Sequence, residues 1–391
     1  MKHRLSITFF GLLLSLTVGA QPIINGDEQT SVYLPLIRGK NIAIVANQSS
    51  IINKRHIVDS LLSLSISIKQ IFSPEHGFRG DADAGEHVNN NIDSATKIPI
   101  VSLYGDHVKP TKESMAGISA VIFDIQDVGV RFYTFISTMH YVMEACAENN
   151  ILFIVLDRPN PNGYYIDGPV LEPKYKSFIG LHPVPIVYGM TIGEYAYMIN
   201  GEKWLANGVK CNLSVVRCTN YKHSTKFDLK IKPSPNLPNS RSIQLYPTFC
   251  LFEGTVMSMA RGTAFPFQAI GHPGFTNKSF SFKPQSIPHV CKTPALMGQT
   301  CYGLDYRTDN TIAPFVDGKL NISILIYAYK NTILKEKQSF FTSFFYKLSG
   351  TDKLRQQIQD GMTEDQIRAT WQNDLEKFKD IRKKYLLYKD F

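Results

Sequence analysis

The sequence predicts an α/β protein, with a parallel-sheet domain first and a smaller α+β domain after it, and three observations lead to this. Runs of β-branched residues alternate with amphipathic stretches between about residues 41 and 158, which is typical of a parallel sheet covered by helices on both faces. A cluster of Pro, Asn and Gly at 157–163 then ends the alternation. Finally, 391 residues exceed the usual length of one domain, so two domains around two cores are expected.

The first domain is predicted to be Rossmann-like and to span residues 21–165. Helices are expected between its strands, because apolar residues lie three and four apart in two amphipathic stretches, 53–64 and 134–149. The predicted strands are 41–46, 66–72, 98–103, 120–125 and 151–156.

The second domain, 166–391, has a mixed pattern. Thr363 and Gln366 have the spacing of a capping box, which predicts that a helix begins there. The other predicted elements are a helix at 191–204, a strand at 211–217, a Pro-rich connector at 232–240, a long strand at 320–329, and helices at 340–348, 351–360 and 363–385.

Residues 1–20 have the pattern of a signal peptide. A basic start is followed by an apolar run at 7–18 and by small residues ending at Ala20, and this run is short for a membrane span. We therefore expect export, most simply to the periplasm, with an extracellular location as the alternative, and no transmembrane anchor. Export permits disulfides, and the sequence leaves open whether the six cysteines form any.

Composition and motifs exclude several classes of function. The formal net charge is +9, but no run of five or six like charges occurs, so no nucleic-acid partner is indicated. The sequence has no GxGxxG, GxxxxGK[ST] or GxSxG pattern, which disfavours nucleotide binding and an α/β-hydrolase nucleophile. Without CxxC, HExxH or a Cys/His quartet, neither a metal nor another cofactor is expected.

Polar and ionisable side chains follow all five predicted strands of the first domain. In an open parallel sheet, ligands bind where loops meet at the carboxyl ends of the strands. Glu, His, Arg and Tyr are not preferred turn residues, so we interpret most of this set as functional. The set comprises Asn47, Gln48, Glu75, His76, Tyr104, Asp106, His107, Asp127, Arg131, Asp157, Arg158 and Asn160.

Glu75 is the strongest candidate for chemistry. Pro74 and Gly77 flank it closely, so a tight loop would hold the carboxyl group in place. A carboxyl placed there could serve as a general acid, as in glycosidases. The alternative is a structural pair with Arg79.

Further carboxylates and cations leave structural and functional interpretations open. Asp124 lies within a hydrophobic strand and Asp127 at its end, and a buried carboxylate needs a partner, for which Arg131 is the nearest candidate. Such a pair could brace the fold or bind a ligand. The remaining candidates are Asp157, Arg158 and Asn160 after the fifth strand, and Glu253 with Arg261 in the second domain, where Glu253 could instead be a helix-start charge.

Taken together, the motifs resemble the NamZ-type exo-β-N-acetylmuramidases over essentially the whole chain after residue 20. They occur in the order found in that family. The motifs are 73–77, 124–134, 157–161, 233–236, 246–247, 252–255, 261–263, 266–267 and 382–388.

This resemblance implies a glycoside hydrolase that releases N-acetylmuramic acid from the non-reducing ends of peptidoglycan fragments, with its active site in a cleft between the two domains. Glu75 occupies the position of the presumed catalytic acid. Its partner could be Asp127, Asp124, Glu253 or the acetamido oxygen of the substrate. A fixed cation for the lactyl carboxylate is expected, and the predicted substrate-binding residues are His76, Arg79, Asp124, Arg131, Tyr133, Asp157, Arg158, Asn160 and Arg261.

Two other hypotheses remain at this point. A non-catalytic binding protein for cell-wall fragments would use the same cleft with an idle Glu75. An esterase or amidase would act on the same fragments and leave the glycosidic bond intact. The oligomeric state is not indicated by the sequence.

Overall fold

A computed structural model of the chain describes residues 21–75, 77–78, 90–308 and 315–391. Within these ranges, seven strands form the main sheet, in the order β5-β6-β4-β1-β7-β8-β9. All neighbours in this sheet are parallel except β5 and β6. The strands of this sheet are β1 Asn41–Ala46, β4 Ser67–Ser73, β5 Asn91–Ile92, β6 Pro99–Ser102, β7 Ala120–Asp124, β8 Leu152–Leu156 and β9 Leu213–Val216.

Two smaller sheets accompany it. A short hairpin of β2 Ile51–Ile52 and β3 Arg55–His56 follows β1, and the second part of the chain forms an antiparallel sheet in the order β10-β12-β11. Its strands are β10 Ala269–His272, β11 Ser281–Phe282 and β12 Cys301–Asp305. The fold class, a large parallel sheet with a smaller α+β part, is confirmed.

Helices cover the main sheet and make up most of the second part. Among the described residues they are α1 Thr30–Ile37, α2 Ile57–Ser63, α3 Phe135–Glu148, α4 Ile192–Gly201, α5 Ser240–Phe249, α6 Ile322–Asn331, α7 Phe344–Ser349, α8 Lys353–Gln359, α9 Glu364–Ala369 and α10 Gln372–Lys383. The capping box predicted at Thr363 is confirmed, because the Gln366 amide donates to Thr363 Oγ1 and the Thr363 amide donates to Gln366 Oε1.

The strand predicted at 320–329 is wrong, because α6 occupies this segment. Its apolar side chains pack into the core as one face of a helix, with Ile322, Leu325 and Ala328 fully buried at helical spacing. The single helix predicted at 363–385 is two helices, α9 and α10, which meet around Trp371.

The order of the strands brings loops together at one edge of the sheet. From the central β1, the chain builds β4 and β6 on one side and then crosses to β7, β8 and β9 on the other. The loops after neighbouring strands therefore meet at the carboxyl edge near β1, where such sheets bind ligands. The main sheet does not end at residue 165, since β9 comes from beyond that position.

A continuous apolar core joins the sheet to the second part of the chain. It contains Phe123 and Val155 from the sheet together with Phe249, Leu325 and Phe345 from later helices. A separate cluster covers the opposite face of the sheet and includes residues of α1 and α2. One face of the sheet thus contributes to a core shared by both halves.

All six cysteines lie in the described part of the chain and are buried, and five of them are free thiols, namely Cys146, Cys211, Cys218, Cys250 and Cys301. Within the described ranges, no helix is long and apolar enough to cross a bilayer. The predicted signal peptide, residues 1–20, lies outside them.

Candidate active site

A cavity of about 250 Å³ lies between the carboxyl edge of the main sheet and the second part of the chain. We call it the first cavity. From the sheet side, its wall includes Glu75 after β4, Tyr104 after β6, and the residues that lead into α3. The described lining consists of Glu75, Tyr104, Phe132, Tyr133, Thr134, Ile179, Ser234, Asn236, Leu237, Tyr246, Cys250, Glu253, Arg261, Phe267, Phe344 and Leu348.

Glu75 is half-buried in this wall, directly after β4 and Pro74. The Gly77 amide donates to the Pro74 carbonyl at 3.1 Å, and Gly77 has a φ of 79°, a left-handed conformation that favours glycine. The Thr134 hydroxyl donates to Glu75 Oε2 at 2.7 Å. Thr134 stands at the N-cap position of α3 but makes no side-chain cap there, so its hydroxyl serves the carboxyl group instead.

Tyr104 lies next to Glu75 in the same wall. Burial, followed by the charge of the Glu75 carboxylate, raises the pKa of Tyr104, so the phenol remains protonated at neutral pH. A phenol of this kind is a hydrogen-bond donor. The cavity therefore combines a carboxyl group with neutral hydroxyl groups.

Glu253 and Arg261 face the cavity from the second part of the chain. Arg261 Nη1 donates to Glu253 Oε1 at 3.2 Å, and their side chains are 20% and 25% exposed. Glu253 lies in a 3₁₀ turn, Cys250–Gly254, that continues from α5. Gly254 lets α7 pack closely on this turn, since a Cβ there would be 2.5 Å from Phe345 Cα.

The two carboxyl groups of the cavity influence each other. Burial raises the pKa of Glu253, the Arg261 charge opposes this, and the Glu75 charge adds to it. The raised pKa favours the protonated form of Glu253 relative to a solvated glutamate, and the Arg261 charge limits this effect.

Aromatic rings form the rest of the wall. Tyr246 makes edge contacts with Tyr133, Phe132 and Phe267, at centroid distances of 5.8, 5.6 and 5.0 Å. Such a lining with a few fixed polar groups is typical of small-molecule sites. The cavity volume is at the lower end for such sites, which suits a ligand about the size of one sugar ring.

Asp127 lies behind this wall and is not part of the described lining. Its side chain is buried and accepts hydrogen bonds from the Tyr188 hydroxyl and from the Gly129 amide, the latter at 2.7 Å. Burial raises the pKa of Asp127 to about 6 against the effect of these two donors. Tyr133, which does line the cavity, lies close enough to Asp127 for the carboxylate charge to act on the Tyr133 phenol.

Arg131 is fully buried and binds backbone rather than facing the cavity. Its guanidinium donates to four carbonyl oxygens, at 2.8 to 2.9 Å. Two of them come from Leu348 and Ser349 at the carboxyl end of α7, and the others from Pro169 and Val184. Carbonyl groups at a helix end favour a cation. The sequence suggested a nearby aspartate as the partner of Arg131, but its guanidinium binds backbone carbonyl groups instead.

Asp124 and Arg158 form a buried ion triad with Asp27. Arg158 Nε donates to Asp124 Oδ1 and Arg158 Nη2 to Asp27 Oδ2, both at 2.7 Å. Burial raises the pKa of Asp124 even though the Arg158 charge lowers it. Neither Asp124 nor Arg158 belongs to the described lining of the first cavity. The triad instead joins the N-terminal segment to the sheet.

The Asp157 carboxylate forms hydrogen bonds within the fold. Its carboxylate accepts from the Gly193 amide and the Thr191 hydroxyl at the start of α4, each at 2.8 Å, and from the Tyr388 hydroxyl of the C-terminal segment. Burial raises the pKa of Asp157 to about 6. The residue therefore ties α4 and the end of the chain to the sheet.

Asn160 is also engaged within the fold. It donates to the Met190 carbonyl at 2.8 Å and accepts from the Asn162 amide at 2.8 Å. It packs against Gly129, where a Cβ would be 2.2 Å from the Asn160 side chain. Two other predicted site residues, His76 and Arg79, lie outside the described residues.

Of the predicted catalytic and substrate-binding residues, the structure thus brings Glu75, Tyr133, Glu253 and Arg261 to one cavity, which Tyr104 also lines. Several other residues line the same cavity but were not predicted as site residues, namely Thr134, Asn236, Tyr246 and Phe344. For Thr134 the sequence does contain a signal, because this residue stands at the start of the helix that follows a strand end. Phe344 lies in a helix with no distinctive motif, and only the tertiary fold brings it to the site.

Comparison with known proteins identifies the family of the chain. A family model for the N-terminal part of the exo-β-N-acetylmuramidase NamZ matches residues 42–241, and one for the C-terminal part matches 244–388. The chain is 38% identical over 381 residues to a peptidoglycan β-N-acetylmuramidase NamZ from Bacillus subtilis (strain 168), covering 91% of this chain and 89% of the relative.

Solved structures of two DUF1343 family proteins from Bacteroides fragilis NCTC 9343 have the same fold. One has a TM-score of 0.87 and 46% identity, and covers 95% of this chain and 100% of its own. The other has a TM-score of 0.78 and 30% identity, and covers 94% of this chain and 99% of its own. Both family models and the curated relative lead to one conclusion: the chain belongs to the NamZ family of exo-β-N-acetylmuramidases.

Proposed function

We propose that this protein is an exo-acting muramidase that releases N-acetylmuramic acid from the non-reducing ends of peptidoglycan fragments, with Glu75 as general acid. Membership of the family makes the protein a glycosidase. The observation that carries the finer proposal is that Glu75, Glu253 and Arg261 line one cavity of about 250 Å³. Its small volume favours a single terminal sugar over the long groove that an endo-acting enzyme needs.

In the proposed reaction, Glu75 gives its proton to the glycosidic oxygen as the bond to the anomeric carbon breaks. Water supplies the hydroxyl group that the released N-acetylmuramic acid carries, and its other proton passes to a carboxylate of the site, so that the carboxyl groups regain their starting protonation states before the next turnover. The Thr134 hydroxyl, 2.7 Å from Glu75 Oε2, supports this role because it holds the carboxyl group in one orientation.

Glu253 is the proposed second carboxyl group. Of the three carboxylates considered from the sequence, Asp124 and Asp127 make buried internal contacts, whereas Glu253 lines the cavity. Arg261 uses Nη1 for Glu253, and its buried Nε has no partner among the described residues. Since a guanidinium has five donors, Arg261 can also bind the lactyl carboxylate.

The test compares wild type with Glu75→Gln, and uses Glu376→Gln as the matched control because Glu376 is an exposed residue of α10. General acid catalysis contributes about 10²- to 10⁴-fold, so release of free sugar by Glu75→Gln should fall at least 100-fold while calorimetric binding persists. The control should match wild type. Activity of Glu75→Gln within tenfold of wild type would contradict the assignment of Glu75.

The exo mode needs its own experiment. A peptidoglycan oligosaccharide that is labelled at its reducing end and has N-acetylmuramic acid at its non-reducing end should lose that one terminal sugar and no other, as mass spectrometry would record. Internal fragments at early times would refute exo action. Products with every glycosidic bond intact would instead indicate an esterase or amidase, and binding without any turnover would indicate a binding protein.

We also propose that the protein is exported, on the basis of the sequence of residues 1–20. Cleavage after Ala20 would leave Gln21 as the first residue. Mass spectrometry of the protein from a fractionated host should find this N-terminus outside the cytoplasm. Full-length protein confined to the cytoplasm would contradict the proposal.

A further inference from the structure

A cavity of about 530 Å³ lies at the carboxyl edge of the main sheet, apart from the first cavity. Three buried residues of its lining, Ser49, Gln126 and Arg158, follow β1, β7 and β8 and form its floor. The chain continues from β1 to β4 on one side of β1, whereas β7 lies on the other side. The cavity is therefore at the point where the strand order reverses, which is where open parallel sheets bind ligands. We call it the switch-point cavity, and it shares no residue with the described lining of the first cavity.

Arg158 presents an unused donor at this floor. Its Nε and Nη2 donate to Asp124 and Asp27, each at 2.7 Å, and neither aspartate belongs to the described lining of the cavity. Its Nη1 has no hydrogen-bond partner among the described residues, although only 5% of Arg158 is exposed. Leaving a buried donor unpaired costs free energy, so Nη1 favours a ligand that brings an acceptor.

Gln126 presents the complementary acceptor. Its Nε2 donates to the carbonyl oxygens of Asp127 and Pro159, at 2.9 and 2.8 Å. Because both partners are acceptors, the amide nitrogen must be the atom that faces them, and Oε1 is left for the cavity. The Gln126 backbone amide donates to Ser49 Oγ at 3.1 Å, and that hydroxyl donates to Asn47 Oδ1 at 2.6 Å. These bonds fix the two loops that carry the floor.

The walls of the switch-point cavity are apolar and are also held in place. Three of the apolar side chains occupy alternate positions of the segment 227–231, and all five are half-buried. Gln48 Nε2 ties this segment to the loop after β1, because it donates to the carbonyl oxygens of Lys232 and Pro233 at 3.3 and 2.9 Å. An apolar ligand would remove more of this surface from water, which favours binding. The five apolar lining residues are Ile23, Ile51, Phe227, Leu229 and Ile231.

The buried charges favour a ligand with an uncharged head group. The guanidinium charge of Arg158 is already offset by the carboxylates of Asp27 and Asp124, which lie behind the floor. A ligand that brought a further negative charge to this floor would be desolvated there without gaining a net opposite charge. A primary amide or a hydroxyl group avoids this cost, and each of them both accepts and donates hydrogen bonds.

The charged residues at the mouth of the cavity act more weakly. Lys54 and Lys230 add positive charge to the lining, and Glu28 adds negative charge. All three are exposed, so solvent and salt screen their interactions with a ligand at the floor. The buried floor, rather than the mouth, therefore determines the chemistry of the head group.

We propose that the switch-point cavity is a second binding site, which takes a neutral amphipathic molecule with a primary amide or hydroxyl head group. The head group accepts from Arg158 Nη1 and donates to Gln126 Oε1, while the apolar body packs along Phe227, Leu229 and Ile231. This site is separate from the cavity that contains Glu75 and does not depend on the reaction proposed there.

Two probes with the same apolar body test the head group. They are 3-(4-fluorophenyl)propanamide and the corresponding propanoate, which has a carboxylate in place of the amide, and fluorine NMR titration measures the binding of each to the purified protein. For about 12 non-hydrogen atoms, the usual ligand efficiency corresponds to a dissociation constant of about 2 mM. The amide should bind with about this affinity and at least threefold more tightly than the carboxylate. A smaller preference, or no binding of the amide, overturns the inference.

A substitution that fills the cavity tests the location. Leu229→Trp should weaken binding of the amide at least tenfold, because the indole ring would occupy the space along the wall. The matched control is Leu62→Trp, at an exposed leucine of α2 that does not line the cavity, and its affinity should stay within twofold of wild type. Unchanged binding in Leu229→Trp overturns the inference. If Leu229→Trp has no cooperative thermal transition, Phe227→Ala decides, with threefold weaker binding expected and unchanged binding overturning the inference.

A third variant separates the two cavities. Glu75 lines the first cavity and not the switch-point cavity, so Glu75→Gln should bind the amide as wild type does. Loss of amide binding in Glu75→Gln would place the probe in the first cavity and overturn the inference. None of these titrations involves hydrolysis, so their outcome is independent of the proposed muramidase activity.

Discussion

The buried carboxyl group of Asp127 leads to a quantitative prediction about stability. Burial raises its pKa from 3.8 to about 6 in the folded protein. Since one pKa unit corresponds to about 1.4 kcal/mol, ionised Asp127 is less favourable in the folded state by about 3 kcal/mol. A carboxyl group with a raised pKa stabilises the fold below its unfolded pKa, and this contribution is lost as the pH rises through the folded pKa.

Asp127→Asn removes this titration while preserving the shape of the side chain. The free energy of unfolding of wild type, relative to the variant, should therefore fall as the pH rises. Between pH 4.5 and 7.5 the fall should be about 2 kcal/mol, because part of the 3 kcal/mol is already lost below pH 4.5. Urea denaturation at four pH values in this range, monitored by tryptophan fluorescence, measures the difference directly.

Asp390→Asn provides a control, because the pKa of Asp390 is shifted in the opposite direction to that of Asp127. Burial acts to raise the pKa of Asp390, but the hydrogen bonds and charge of Arg382 lower it below its ordinary value. The pKa of Asp390 therefore lies below its ordinary range, and the difference curve of this variant should be flat from pH 4.5 to 7.5. A flat curve for Asp127→Asn, or one in which wild type gains stability with rising pH, would refute the reasoning about Asp127.

Three further substitutions test other contacts. Arg131→Met removes a guanidinium bound to four carbonyls, and should lower the free energy of unfolding by at least about 3 kcal/mol; a loss below 1 kcal/mol in urea denaturation would contradict this. Thr134→Val removes the donor to Glu75 and should lower kcat about tenfold, with Thr134→Ser restoring it; equal rates in all three proteins would contradict the positioning role. Thr363→Ala removes the cap of α9 and should cost about 1 kcal/mol, whereas an unchanged melting temperature would show that the cap is dispensable.

The local pattern of the sequence was enough to predict most strands of the main sheet, although not β5. All five strands predicted in the first domain are present, each within about two residues of its predicted bounds. This agreement follows from the pattern, because runs of β-branched residues between turn formers are typical of strands in a sheet that is buried on both faces. The rule that ligands bind at the carboxyl ends of strands also pointed to Glu75 and Tyr104, which line the first cavity.

Longer-range pairing could not be predicted in this way. Arg158 follows a strand, as a ligand-binding residue would, yet one of its partners is Asp27, 131 positions earlier in the chain. Among the described residues Arg131 has no carboxylate partner, and it binds carbonyls from segments that the sequence gives no reason to connect. In both cases a charged residue at a strand end has a structural role that depends on the tertiary fold.

The error at α6 has a related cause. A continuous apolar run rich in isoleucine fits either a buried strand or a buried helix, because periodicity cannot separate them when nearly every position is apolar. The packing of Ile322 and Leu325 into the core settles the choice, and packing depends on neighbours that are remote in sequence.

The buried guanidinium of Arg131 makes the two halves of the molecule thermodynamically dependent on each other. Its acceptors are divided, with Pro169 and Val184 before residue 244 and Leu348 and Ser349 after it. A fragment that ends before residue 244 would leave the cation with half its acceptors in an apolar interior. The chain should therefore unfold in one cooperative transition, and neither fragment should fold alone.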